Sequence, residues 1–229
     1  MADLEFFFDP VCPFCWVASE WVRAVQRQRG IDVRWRFISL RILNEGHYDE
    51  KPEGYPQAHQ RGLEMLRVAA AARAAHGEHV LGGLYRAMGQ AVWHAKPPGG
   101  DDFQPVLEHT AEAGDLETIL AQVGLSTDLA AAAQGPVWDR TLRAETDEAL
   151  ERVGGGGGTP ILSFAPPDGP AFFGPVISEV PDDQSAVRLW EAVETLAHWP
   201  GFAELKRSLR QFPNTPVTRH LAGEETQLS

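Results

Sequence analysis

Apolar and polar positions recur along this chain with two periods, and the switches between them mark its elements. The aromatic run Phe6-Phe7-Phe8 has the composition of a buried strand, and Asp9-Pro10 breaks it. Apolar side chains at Trp16, Val17, Trp21, Val22 and Val25 then follow helical spacing as far as Gly30, a common helix stop. From Ile31 to Ile38 the period becomes two, as in a strand with one covered face. Strand, helix and strand in such quick succession make a βαβ unit with parallel strands and a right-handed crossover. The pattern is lost from Arg41 to about Pro56, which reads as loop. Helical spacing returns over Arg61–His76, Val80–His94, Gln104–Ala113, Asp115–Val123, Thr127–Ala133 and Val137–Val153, without a fixed repeat.

Gly154 to Gly158 read mainly as a flexible linker, with close approach of a substrate to bare backbone as the alternative. Ile161–Phe164 and Ala171–Phe173 predict a hairpin, Gln184–His198 an amphipathic helix, and Phe202–Leu209 one more short helix. The order is βαβ, inserted helices, then ββα. That is an α/β, thioredoxin-like fold with a large helical insertion. Residues 1–52 and 154–212 would form the core, 53–153 the inserted subdomain, and 213–229, polar and without an apolar period, a flexible tail.

The chemistry sits where the first strand ends. Cys12-Pro13-Phe14-Cys15 opens the first helix, so the Cys12 sulfur lies among the unpaired N–H groups of the first turn. Those donors and the positive end of the helix dipole favour a thiolate, a usable nucleophile. Cys15, one turn on, is placed to resolve a mixed disulfide on Cys12. Pro13 suits a helix start, where a missing N–H costs nothing. A Cys-x-x-Cys pair could also be half of a zinc site. Cys12 and Cys15 are the only cysteines, however, and no histidine pair follows at ligand spacing, so no metal is expected. A structural disulfide closing so short a loop would remove little chain entropy. Thr159-Pro160, just before the hairpin, occupies the place where a cis proline would face the cysteines. His94 follows Trp93 at a helix end before Pro97 and is the histidine best placed to line a cleft, whereas Tyr85 and Trp93 read as core.

Composition narrows the partners. At 229 residues, 43% hydrophobic and 23% charged, the chain is an ordinary globular protein, and its net charge of −12 argues against nucleic acid or an anionic membrane. It begins Met1-Ala2-Asp3-Leu4-Glu5, acidic where a signal peptide is basic, so a cytoplasmic location is expected. In a reducing compartment a cysteine pair is more often catalytic than structural.

Phe8-Asp9-Pro10-Val11-Cys12-Pro13-Phe14-Cys15-Trp16 and Gly158-Thr159-Pro160 resemble the DsbA-like branch of the thioredoxin-fold oxidoreductases. Four further segments, Ser39–Glu45, Leu84–Gly89, Phe172–Val176 and Phe202–Arg207, are similar to the actinobacterial mycothiol-dependent nitroreductases. The resemblance runs from about residue 5 to 210. It implies a glutaredoxin-like reductase in which Cys12 exchanges with mycothiol as co-substrate, with no tightly bound cofactor, and in which nitro-aromatic compounds are reduced. It also implies that Asn44, Tyr55 and His94 are polar contacts in the cleft, beside Pro13, Phe14, Trp16 and Thr159. Phe14 stands where that family has Trp, a change that bears on substrate range. The partners expected are a low-molecular-weight thiol and a small oxidised or nitro-aromatic substrate, with a homodimer as an open state of assembly. A protein-disulfide oxidoreductase or isomerase, and a redox-sensing binding protein, are the alternatives.

Overall fold

The computed structural model describes residues 2–99, 102–207 and 211–221. Strand β1 (Leu4–Phe8) leads through the cysteine loop into helix α1 (Pro13–Arg29), and β2 (Val33–Phe37) returns parallel to β1. Next come α2 (Leu40–Leu43), α3 (Tyr55–His76), α4 (Leu81–Trp93), α5 (Gln104–Glu112), α6 (Leu116–Gln122) and α7 (Asp139–Arg152). The hairpin β3 (Ile161–Phe164) and β4 (Ala171–Phe173), then α8 (Asp183–His198), complete the core. The sheet has the order β2-β1-β3-β4, with β3 antiparallel to both of its neighbours. This is a thioredoxin-like fold whose helical insertion, α3 to α7, enters after β2.

Strand β1 is buried on both faces, which is why it reads as a nearly continuous apolar run. Leu4, Phe6 and Phe8 join the larger core with α1, α3, α4 and α8, while Phe7 packs with Ile38, Ala149 and Ile161 beneath α7. The only charged residue of the strand, Glu5, points to the α7 side and binds Arg36 and Arg152 at 3.1 and 2.9 Å.

Two glycines let the insertion close onto the cysteine loop. A Cβ at Gly89 of α4 would come within 2.1 Å of the Trp16 ring, and one at Gly62 of α3 within 2.7 Å of the Asp9 carboxylate. Gly89→Ala is therefore expected to cost about 1–3 kcal/mol by overpacking. Urea denaturation reads this out, and an unchanged midpoint would remove Gly89 from the account of Trp16.

Four sequence expectations need correction. Helix α3 begins at Tyr55, well before Arg61, because Pro56 serves in its first turn instead of ending the loop. The Thr127–Ala133 segment forms a 3-10 helix, Thr127–Gln134. Residues 202–207 form no helix, since Pro200-Gly201 breaks the chain and only Phe202 packs, 5.9 Å from Phe172; 208–209 lie outside the described residues. The expected flexible tail is docked as far as Leu221. Pro213, Thr215, Val217, Thr218 and Leu221 are all buried, the last two apolar members within the larger core. Residues 222–229 lie outside the described residues.

The glycine run also has a local reason beyond its use as a linker. Gly154, Gly155, Gly156 and Gly157 all have positive φ, at 83°, 72°, 75° and 145°, a succession that side chains would oppose.

Candidate active site

Local sequence places the two sulfurs. Cys12 is the N-cap of α1, with Pro13 in the first turn, and its Sγ accepts a hydrogen bond from the Cys15 amide at 3.4 Å. Both cysteines are free thiols; Cys12 is 5% exposed and Cys15 fully buried. Thr159 meets both of them. Its carbonyl accepts from the Cys12 thiol at 3.7 Å, and its hydroxyl lies 2.7 Å from the Cys15 sulfur. The Thr159–Pro160 peptide is cis. Burial first, then the neighbouring Cys12 sulfur, pushes the Cys15 thiol well above its ordinary range, while the Thr159 hydroxyl pulls the other way. The inner cysteine therefore holds its proton, and the outer one is the more accessible of the two.

The other expected residues fall into two groups. Trp16 is buried against α4, with His94 edge-on to it at 5.4 Å, and His94 is exposed as the C-cap of that helix. Pro13 and Phe14 are half-buried beside the cysteines. Tyr55 lies at the start of α3, with the His59 ring at 5.4 Å and the Phe103 ring at 6.0 Å. The Asn44 amide nitrogen donates to the Leu40 carbonyl at 2.8 Å, so it closes its own short helix. A surface depression of about 260 Å³ between α4 and α6, lined by Gln90 and Thr118 among others, contains none of these residues.

Two buried groups were not singled out from the sequence. Asp9, read there as part of a strand breaker, accepts from the Val11 amide at 2.9 Å and the Leu40 amide at 2.7 Å. It thus ties the cysteine loop to the start of α2. The available signal was a carboxylate directly after three phenylalanines. His59 bonds through Nδ1 to the Tyr48 hydroxyl at 3.0 Å, and nothing local distinguishes it from the other histidines.

Burial raises the Asp9 carboxyl to about 7, against the pull of the Leu40 and Val11 amides. Burial, then Arg41 and Lys51, lowers His59 to about 4. These act on stability with opposite signs. The Asp9 contribution is full below its unfolded value of 3.8 and is lost as pH rises through about 7. The His59 contribution is full above 6.5 and is lost as pH falls through about 4. Each shift corresponds to roughly 3–4 kcal/mol. Relative to the wild type between pH 4 and 7, Asp9→Asn should gain stability with rising pH and His59→Gln should lose it. Urea titrations at several pH values test this, and parallel profiles for all three proteins would refute it.

Known proteins bear on this site. A family model described as Rv2466c-like, mycothiol-dependent nitroreductase Rv2466c, matches residues 11–207. A curated relative from Mycobacterium tuberculosis (strain ATCC 25618 / H37Rv), "Uncharacterized protein Rv2286c", is 30% identical over 98% of this chain and 88% of its own length. The solved cytosolic disulfide reductase DsbM from Pseudomonas aeruginosa is similar with a TM-score of 0.50 and 19% identity, over 85% of this chain and 99% of that one. At that identity the likeness concerns the fold. Among the described residues, no helix is long and apolar enough to cross a membrane. With a dithiol at a helix N-terminus and a match covering most of its length, the chain belongs to the Rv2466c-like family of thiol-dependent oxidoreductases.

Proposed function

We propose that this protein is a thiol–disulfide oxidoreductase that draws electrons from mycothiol and passes them to small oxidised acceptors, nitro-aromatic compounds among them. The observation that carries the reading is that Thr159 contacts both sulfurs of a dithiol whose outer member caps a helix. Cys12, as thiolate, attacks a disulfide sulfur; the old S–S bond breaks and one thiolate leaves. Cys15 then gives up its proton, attacks the Cys12 sulfur and expels the second thiolate, leaving the Cys12–Cys15 disulfide. Two molecules of mycothiol restore the dithiol and leave as their own disulfide. Toward a nitro group, each dithiol would supply two electrons and two protons, giving a nitroso group and water. Trp16, with His94 on its edge, and Tyr55, with Asn44 nearby in the chain, would be the contacts for thiol and acceptor.

The test is turnover of the oxidised enzyme with mycothiol or glutathione as reductant, against a nitro-aromatic compound and a small disulfide as acceptors. Turnover with mycothiol, and at least tenfold less with glutathione, is the expected result. Equal use of both thiols would remove mycothiol from the reading. Light scattering on the same preparations tests the homodimer.

A further inference from the structure

Resolution of a mixed disulfide requires a proton to leave the inner sulfur, which is fully buried and out of contact with water. The surroundings of that sulfur offer a way out. Cys15, Ser19 and Arg23 stand four residues apart on α1 and share one face of it. That face meets Tyr85 of α4, a ring stacked on Phe8 at 4.0 Å and edge-on to Trp16 at 6.5 Å. The Arg23 guanidinium lies 5.9 Å from the Tyr85 ring. Burial, then charge on Cys15, holds the Tyr85 hydroxyl well above its ordinary range, while Ser19 and Arg23 pull the other way.

The polar atoms of this cluster are left unsatisfied. Among the described residues, three buried side-chain polar atoms lack a hydrogen-bond partner: the Tyr85 hydroxyl, Arg23 Nε and Glu20 Oε1. All three lie in this one region between α1 and α4. Glu20 Oε1 and Arg23 Nε are 3.4 Å apart, close enough for attraction between charges but without hydrogen-bond alignment. At the outer end Glu20 Oε2 accepts from the exposed Arg86 at 3.2 Å, so the cluster reaches the surface. An unsatisfied buried polar atom costs about 1–3 kcal/mol, and three together need a reason other than packing. A phenylalanine would pack on Phe8 and Trp16 as well as Tyr85 does.

We propose that Tyr85 is the proton relay of the resolving cysteine, accepting the Cys15 proton on its hydroxyl and passing its own outward to Glu20 and solvent. The proposal rests on the thiol–disulfide reading of Cys12 and Cys15 and adds the residue that moves the proton. As Cys15 attacks the Cys12 sulfur, the bond from Cys12 to the bound thiol breaks, and that thiol leaves with the electron pair as thiolate. The Cys15 proton goes to the Tyr85 oxygen, and the Tyr85 proton goes outward through water bound by the unpartnered atoms. When a thiol reopens the disulfide, the same atoms return a proton to Cys15.

The test mixes reduced enzyme with one equivalent of 5,5′-dithiobis(2-nitrobenzoate) in a stopped-flow instrument. One thionitrobenzoate is released when Cys12 attacks and a second when Cys15 resolves, so the two steps are read separately. Tyr85→Phe removes only the hydroxyl, and a melting curve establishes its folding. Its second phase should slow by about tenfold or more, with the first phase within about twofold of the wild type. Glu20→Gln should also slow the second phase, and the double variant should be no slower than Tyr85→Phe alone, because both lie on one path. An unchanged second phase in Tyr85→Phe overturns the relay, and so does equal slowing of both phases or multiplication of the two variants' effects. The Thr159 hydroxyl, 2.7 Å from the Cys15 sulfur, is the competing acceptor. Slowing in Thr159→Val with none in Tyr85→Phe would assign the proton to Thr159 and overturn the relay. A wild type without a first phase would remove the oxidoreductase reading and the relay with it, whereas two normal phases in Tyr85→Phe remove the relay alone.

Discussion

Cys12→Ser is expected to lower turnover on the order of 10³-fold or more, the scale seen when the nucleophile is removed from a site whose groups act as a unit. A serine oxygen cannot exchange with a disulfide, so no covalent intermediate forms. The fold should survive, because the hydroxyl can still accept from the Cys15 amide at the head of α1, where serine is a favoured N-cap. Cys15→Ser should behave differently. The Cys12 thiolate would still attack a low-molecular-weight disulfide and expel one thiolate, but the mixed disulfide would persist, and intact-mass spectrometry should find one thiol adduct per chain. An adduct on Cys12→Ser and none on Cys15→Ser would reverse the two roles. Burial of Cys15 makes that reversal physically awkward, since no substrate sulfur can reach it without opening the core.

Glu5→Ala should destabilise the protein by about 3–5 kcal/mol, measured by urea denaturation. Glu5 is 2% exposed and sits between Arg36 and Arg152. Arg36 also binds Glu145 at 3.1 Å and Glu148 at 2.6 Å, and Arg152 binds Glu148 at 2.6 Å and the Ser163 hydroxyl at 2.8 Å. The network fastens α7, the last helix of the insertion, to β1, β2 and β3. Removing its central carboxylate leaves two largely buried guanidinium groups undercompensated, and that desolvation cost sets the magnitude. Arg34 provides the contrast. It binds the same carboxylate at 3.3 Å but is 45% exposed, so Arg34→Ala should cost less than about 1 kcal/mol. Equal effects at the two positions would mean that the pairs, and not burial, set the energy.

The insertion and the core thus meet in two ways, through charge beneath the sheet and through close glycine contacts above it. Neither was legible along the chain. Gly62 and Gly89 look like ordinary weak points of helices until Asp9 and Trp16 are seen against them. The strand β1 reads as apolar, and its single carboxylate acquires meaning only from arginines on β2 and α7. The tail illustrates the same limit. Beyond Phe212 the apolar residues are few and follow no period, so periodicity predicts a loose end. Val217 and Leu221 nevertheless find places in the core as single anchors on an irregular path.

Short-range patterning by itself determined the strands, most of the helices, and the position of the two cysteines at a helix start. Those features depend on residues within a turn or two of one another, where spacing and breakers suffice. The layout of βαβ, inserted helices and ββα followed from their order. Tertiary structure alone decided which groups surround the sulfurs. Thr159 touches Cys12 across 147 positions of sequence, and Asp9 holds Leu40 across 31. It also decided that the inner cysteine is buried and that the C-terminal segment is anchored in the core. These outcomes depend on side-chain shape and desolvation between segments far apart in the chain, which the local period of apolar residues does not record.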